Sequence, residues 1–427
     1  MNEFSSSITS LIANALLQTP TVGEHSIKVT VLSSMIADSY FDDEDSVLFT
    51  SISGILYDIG FVLPRYSQDI FQYRSARDLL ELEISEKGRY LIHATVGGYI
   101  LSNFLGMYEY ADVAFYHHTP AYELDESSFT HIVSNIVNVA DTVVTHLEKM
   151  DTSLAKDLIP DILNKFKEDF FPEIYEIAAD MLKKDITWWT LEDSRYYFES
   201  EILPRIESKA SENLNLESLK EVGHFLAYLV DAKSPFTRRH SERIANLARD
   251  LACEYGMDRA KCEEIYVAGL FHDIGKIAIP LSILEKPASL DKGEFWLMRK
   301  HVYYTGVLLK NFEKQGFEWP IWSKQHHERL DGSGYPMGLS AKDLSLESRI
   351  MQICDVFVAF TEDRPYREPL DFEEALEIIE NEVNRGKLDS DVFEKLKGMV
   401  KNGYEFPERT ITEEIIETVE FLIENLG

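Results

Sequence analysis

One order of histidines and aspartates occurs twice along the chain. In the C-terminal half it runs His240, His272-Asp273, His301, His326-His327, Asp355; in the N-terminal half it runs His25, Tyr57-Asp58, His93, His117-His118, Asp141. The first spacing is identical, 32 residues from His25 to Tyr57 and from His240 to His272, and the later spacings are similar. The flanks agree too: Gly269-Leu270-Phe271-His272-Asp273-Ile274-Gly275 echoes Gly54-Ile55-Leu56-Tyr57-Asp58-Ile59-Gly60. Nine of the 12 histidines fall in this pattern, which predicts two copies of one domain. A length of 427 residues, too long for one ordinary core, predicts the same division.

The expected fold class is all-α. Residues 216–229, 239–255 and 372–383 carry apolar residues at three- and four-residue spacing, while alternating β-branched runs are scarce. Glycine and proline punctuate the helical segments, at Ile279-Pro280, across residues 331–336 and at Arg364-Pro365. The expected organisation is a first domain over residues 1–150, a helical connector over 151–204 and a second domain over 205–427. The connector, rich in aromatics and acids, lacks the Gly and Ser runs of a flexible linker.

Charge and cysteine usage narrow the function classes. With 42 basic and 74 acidic residues, the net charge of −32 disfavours long nucleic acid and anionic membrane as partners. An anionic substrate therefore needs a local positive site, made of metal ions and a few chosen Lys and Arg. Apolar stretches are broken by charge too early for a transmembrane helix. The N-terminal run reads as a first helix, not a signal peptide. Cys253, Cys262 and Cys354 are scattered without pairing motifs, which suits a reducing cytoplasm; Cys354 reads as a buried small residue.

The C-terminal constellation is rich in ligands. Five imidazoles and two carboxylates exceed what one tetrahedral site can use. They fit two octahedral metals sharing Asp273, and mixed nitrogen and oxygen donors favour iron or manganese, with nickel, zinc or magnesium as alternatives. Two metals about 3.5–4 Å apart are a common solution for phosphodiester cleavage through a bridging hydroxide.

His272-Asp273-Ile274-Gly275-Lys276, followed by His326-His327-Glu328-Arg329-Leu330-Asp331-Gly332-Ser333-Gly334-Tyr335-Pro336, closely resembles the HD-GYP subgroup of HD-superfamily phosphodiesterases. These are bacterial enzymes that linearise the second messenger cyclic di-GMP. Some tandem HD proteins of the family prefer 3',3'-cyclic GMP-AMP. The resemblance implies two tandem HD-type helical domains, with one metal on His240, His272, Asp273 and Asp355 and a second on Asp273, His301, His326 and His327. It implies Lys276 as charge stabiliser or proton donor and Arg329 as a phosphate ligand. Asp331, Gly334, Tyr335 and Pro336 would wall the substrate site, and their loop could dock diguanylate cyclase domains. The expected product is the linear 5'-phosphorylated dinucleotide. The rival readings are a binding module without turnover and a generic HD nucleotidase.

Departures from the family pattern carry expectations of their own. Phe236 stands where some members have a glutamate that helps to hold a third metal, so two metals are expected. Val358 replaces a common aspartate, and Arg238 and Arg239 could line the site. In the N-terminal copy, Tyr57 replaces the first histidine of the pair, Phe61 replaces the lysine, and no GYP segment follows His117-His118. Three readings stand open for that copy: a dead scaffold serving regulation or homodimerisation, a domain retaining one metal without turnover, and a site of altered chemistry.

Overall fold

The computed structural model describes residues 11–12, 14–15, 23–62, 90–104, 107–208, 215–231, 239–362, 368–407 and 411–426. Every regular element among them is helical, apart from an isolated bridge between Asp331 and Ser340. No helix among the described residues is long and apolar enough to cross a membrane. The chain forms two compact units, one drawn from residues 1–213 and 417–427, the other from residues 214–416.

The first unit is built on α1 (Gly23–Tyr40), α2 (Glu44–Leu56), a 3-10 turn (Ile59–Val62), α3 (Tyr90–Ser102), α4 (Ala111–Tyr116) and α5 (Phe129–Leu147). Asp43 starts α2 by accepting the Ser46 amide at 2.8 Å, which satisfies one of the donors left over at a helix start. Along α5, Val133, Ile136, Val137, Ala140 and Val144 recur at helical spacing and are fully buried. α6 (Thr152–Lys165), α7 (Pro172–Leu182) and α8 (Asp185–Glu192) follow, and the chain stays helical to Ser208. These helices pack on α1 and α5 of the same unit. Asn135 fixes them there, donating to the Asp169 carbonyl at 3.2 Å and accepting the Phe171 amide at 2.8 Å. The first unit takes in the segment expected as a connector and runs on to residue 213; within it Arg205 donates to both Asp38 and Glu44 at 2.7–3.0 Å.

The second unit repeats the scheme. It comprises α9 (Leu216–Asp231), α10 (His240–Glu254), α11 (Arg259–Phe271), a 3-10 turn (Ile274–Ala278), α12 (Lys292–Leu308), α13 (Trp319–Lys324), α14 (Leu346–Thr361), α15 (Phe372–Asn384) and α16 (Ser390–Lys401). A last helix, α17, spans Ile411–Leu426. Side-chain caps define the starts: Asp258 for α11, Asp291 with Glu294 for α12, Ser345 for α14 and Asp371 with Glu374 for α15. The pair α10–α11 corresponds to α1–α2, and α12, α13 and α14 correspond to α3, α4 and α5.

Two glycines let these helices approach closely enough to share a site. A Cβ at Gly269 would lie 2.5 Å from Ala245 Cα, where α11 crosses α10. A Cβ at Gly275 would lie 2.0 Å from the His301 carbonyl oxygen, where the 3-10 turn meets α12. The first unit has the same contacts, 2.9 Å from Gly54 to Thr30 Cα and 2.1 Å from Gly60 to the His93 carbonyl. Thr305 strengthens the second contact, accepting the Gly275 amide at 3.1 Å and donating to the His272 carbonyl at 3.0 Å.

Gly275→Ala is expected to destabilise the second unit by on the order of 1–3 kcal/mol, the usual cost of overpacking a closed contact. Gly398→Ala, in α16 with nothing within 4 Å of the added methyl, is expected to stabilise by up to about 1 kcal/mol through helix propensity. Urea unfolding midpoints check both; equal effects would remove the argument from close approach.

Candidate metal centre

Each ligand-bearing side chain is delivered by a defined helix position. His240 opens α10, and His272-Asp273 closes α11 at its junction with the 3-10 turn. His301 lies within α12, His326-His327 follow the last turn of α13, and Asp355 lies in α14. In α14 the neighbouring Ile350, Ile353, Cys354, Phe357 and Val358 are fully buried, so the helix is anchored in the core while Asp355 faces the site.

Asp273 is the meeting point. Its Oδ2 lies 3.1 Å from His272 Nε2 and 3.5 Å from His240 Nε2. Its Oδ1 lies 3.3 Å from His301 Nε2 and 3.8 Å from His326 Nε2. Asp355 joins the halves from the other side, 3.7 Å from His240 Nε2 and 3.5 Å from His327 Nδ1. Two donor groups result: His240, His272 and Asp273 form one, and His301, His326 and His327 the other. The structure thus brings together all seven residues whose types and order suggested metal ligation.

The imidazoles are aimed by contacts outside the cluster. His272, His301 and His326 each turn Nδ1 to the carbonyl three residues earlier, at Gly269, Met298 and Ser323, over 2.6–2.7 Å. A ring that donates through Nδ1 presents its Nε2 lone pair inward, the form a metal needs. His240 Nδ1 is instead held by Glu362 at 2.8 Å. Burial pushes His301 down to about 4 and His326 down to about 3. Burial also takes His327 well below the usual histidine range, helped by His326 and His301. Protons therefore do not compete for these rings at neutral pH. Burial alone would raise Asp273, but His272 and Lys276 outweigh it and hold the carboxyl well below its usual range.

Two buried atoms decide whether the donors fit a cation. Among the described residues, His272 Nε2 and Asp273 Oδ1 have no hydrogen-bond partner although both are enclosed. Buried polar atoms without partners are costly, and an inward lone pair beside an anionic oxygen is what a divalent metal relieves. The donor set fits metal.

The remaining candidates surround this cluster. Lys276 pairs with Asp273 through Oδ2. Arg329 donates from Nη1 to the His326 carbonyl at 3.3 Å and the Glu328 carbonyl at 2.8 Å. The Tyr335 ring lies 4.8 Å from the His327 ring, with the Arg299 guanidinium 4.4 Å above its face. Gly334 is required because a Cβ there would lie 2.4 Å from Glu328 Cα; Pro336 follows Tyr335 through a cis bond. Asp331 is exposed and accepts the Ser333 amide at 2.9 Å, so it shapes the turn and does not reach the ligands. Arg239 is half-buried next to His240. Phe236, Arg238 and residues 363–367 lie outside the described residues.

Three residues escaped the sequence reading. Glu328, fully buried, accepts the amides of Met337 and Leu339 at 2.8 Å and so clamps the loop that carries Tyr335. Thr305 ties the His-Asp turn to α12. Glu362 orients His240, and it had a signal in the repeat: it follows Asp355 by seven residues, as Glu148 follows Asp141. Glu148 holds His25 Nδ1 at 3.0 Å, as Glu362 holds His240.

The HD domain family matches residues 224–392. A 3'3'-cGAMP-specific phosphodiesterase 1 of Vibrio cholerae serotype O1 is 32% identical over 332 residues, 75% of this chain and 76% of that protein. The chain belongs to the HD-domain cyclic dinucleotide phosphodiesterases. Within this family, a 3'3'-cGAMP-specific phosphodiesterase 3 of the same species is 36% identical over 170 residues, and a cyclic di-GMP phosphodiesterase of Thermotoga maritima is 38% identical over 167. The matches take in only 36% and 45% of those two relatives. The crystal structure of a V. cholerae cyclic GMP-AMP specific phosphodiesterase shares the fold, with a TM-score of 0.60 at 20% identity, covering 94% of this chain and 99% of that one.

Removing the carboxylate that aims His240 tests the outer contacts. Glu362→Ala is expected to weaken metal binding by about 10–100-fold, the usual cost of losing a ligand's orienting partner. Chelator competition measures it; unchanged affinity would leave Glu362 without an orienting role.

Proposed function

We propose that this protein is a metal-dependent phosphodiesterase that opens 3',3'-cyclic GMP-AMP, cyclic di-GMP or both to the linear 5'-phosphorylated dinucleotide. The observation that carries this reading is the pair of buried donor groups sharing Asp273, flanked by Lys276 and the loop that carries Tyr335. Likeness to a 3'3'-cGAMP-specific phosphodiesterase over three quarters of the chain supports the substrate class.

His240, His272, Asp273 and Asp355 would hold one divalent ion, and Asp273, His301, His326 and His327 a second, with iron or manganese favoured by the mixed donors. When bound, such ions supply Lewis acidity toward phosphate oxygens and make hydroxide available at neutral pH.

The chain's own groups do the rest. Lys276, tied to Asp273, sets a fixed positive charge at the cluster's edge, where it can stabilise charge on a phosphate oxygen or give a proton to the departing alkoxide oxygen. Arg329, anchored through Nη1 to two carbonyls, presents its other N–H groups to a second phosphate oxygen. The Tyr335 ring beside His327 offers a flat wall for a base, and Glu328 keeps that wall in place. The overall acidity of −32 makes these local cations necessary for an anionic substrate.

The domain assignment belongs to the same reading: a catalytic HD-GYP domain in the C-terminal half and a degenerate HD domain in the N-terminal half, without turnover and serving regulation or homodimerisation. Unpaired cysteines fit a cytoplasmic setting.

A panel of cyclic di-GMP, 3',3'-cyclic GMP-AMP and cyclic di-AMP with Mn²⁺ or Fe²⁺, read by product chromatography, is expected to give linear dinucleotide from at least one of the first two. The His272→Ala/Asp273→Ala double variant is expected to abolish turnover. Lys276→Met is expected to lower kcat by on the order of 10²–10³-fold, as for loss of one charge-stabilising donor. Hydrolysis of none by metal-loaded protein, or substantial turnover in the double variant, overturns the reading.

A further inference from the structure

The first unit also assembles a donor cluster. His93 Nε2 lies 3.1 Å from His117 Nε2 and 3.1 Å from His118 Nε2. Asp58 Oδ1 lies 3.3 Å from His93 Nε2 and 3.7 Å from His117 Nε2. The matching separations in the second unit are 3.4 Å for His301–His326, 3.3 Å for Asp273–His301 and 3.8 Å for Asp273–His326. Half of the candidate catalytic centre is therefore reproduced. Metal–nitrogen bonds of about 2.0–2.1 Å put neighbouring donors of one ion about 3.0–3.4 Å apart, close to this spacing.

The other half keeps His25, Asp58 and Asp141 together but has lost an imidazole. Tyr57 stands where the second unit has His272, and its hydroxyl donates to Asp141 Oδ1 at 3.0 Å. His25 engages the same oxygen at 3.0 Å and Glu148 through its other nitrogen. These groups satisfy one another. Phe61, in place of the lysine, stacks on His93 with ring centroids 4.0 Å apart.

The half that remains is not self-satisfied. His117 donates through Nδ1 to the Ala114 carbonyl at 2.7 Å, which turns the Nε2 lone pair toward His93. One proton on His93 Nε2 could serve only one of the two nitrogens facing it. Asp58 Oδ1 is buried without a hydrogen-bond partner among the described residues, in a side chain about nine-tenths enclosed. The pocket therefore gathers ring lone pairs and a carboxylate oxygen with no positive side chain where the second unit has Lys276.

We infer that the first unit holds one divalent transition metal of its own on Asp58, His93, His117 and His118. Three imidazoles and one carboxylate suit zinc, iron(II), manganese or cobalt. The centre lacks an intact second half-site, the lysine and the substrate loop, so its metal ties together three segments of the unit, at Asp58, His93 and His117-His118, and does no hydrolysis.

The test strips the second unit and counts what is left. Full-length protein carrying His240→Ala, His272→Ala and His301→Ala is incubated with Zn²⁺ or Co²⁺, freed of excess metal and assayed by plasma mass spectrometry. It is expected to retain one equivalent per chain, and the Co²⁺ form is expected to show d–d absorption. Adding Asp58→Asn and His118→Ala is expected to remove both signals. In the otherwise intact chain, His118→Ala alone is expected to lower total metal by one equivalent with helical circular dichroism unchanged. A folded stripped chain that binds no metal overturns the inference. So does metal that persists after Asp58→Asn and His118→Ala.

Discussion

The second unit depends on one buried carboxylate. Asp273 turns one oxygen to His240, His272 and Lys276 and the other to His301 and His326. A carboxylate so placed can be kept ionised only by positive charge close by. Lys276 supplies one charge and metal would supply the rest. The arrangement also explains why α10, α11 and α12 crowd together: Gly269 and Gly275 remove the side chains that would hold them apart. The packing of helices and the chemistry of the site are therefore a single requirement, met at one residue.

The sequence carried much of this because the ligands are tied to helix positions. Order and spacing of His and Asp residues exposed the internal repeat, and the apolar periodicity exposed the all-helical fold. Residues that act through backbone contacts left weaker traces. Glu328 gives its carboxylate to two amides nine and eleven residues ahead, and nothing in a loop sequence marks such a clamp. Thr305 looks like an ordinary helical threonine until the approach of the Gly275 turn is known. Arg205 left no trace either, since its partners Asp38 and Glu44 lie more than 160 positions away. Asp331 is a motif residue whose side chain accepts an amide of its own turn.

The two units show which parts of the centre can change without loss of the scaffold. The glycine contacts are kept at Gly54 and Gly60, and the orienting carboxylate is kept as Glu148. What differs is chemical: a tyrosine hydroxyl for an imidazole, a phenyl ring for an ammonium. Tyr57 is 1% exposed and fills its place in the core, so the exchange conserves packing while it removes a ligand. Thr305 has no counterpart, since Gly97 occupies the equivalent step of α3.

The carbonyl contacts of the rings have a consequence for how such a protein diverges. His117, His272, His301 and His326 all take their direction from the carbonyl three residues back. Ring orientation is thus a property of a single helical turn, independent of what the opposing helices contribute. Losing a ligand on one helix does not misalign those on another. A duplicated domain of this design can shed its reactivity piecemeal, each step leaving a folded intermediate on which selection can act, and the centre erodes by halves without collapsing.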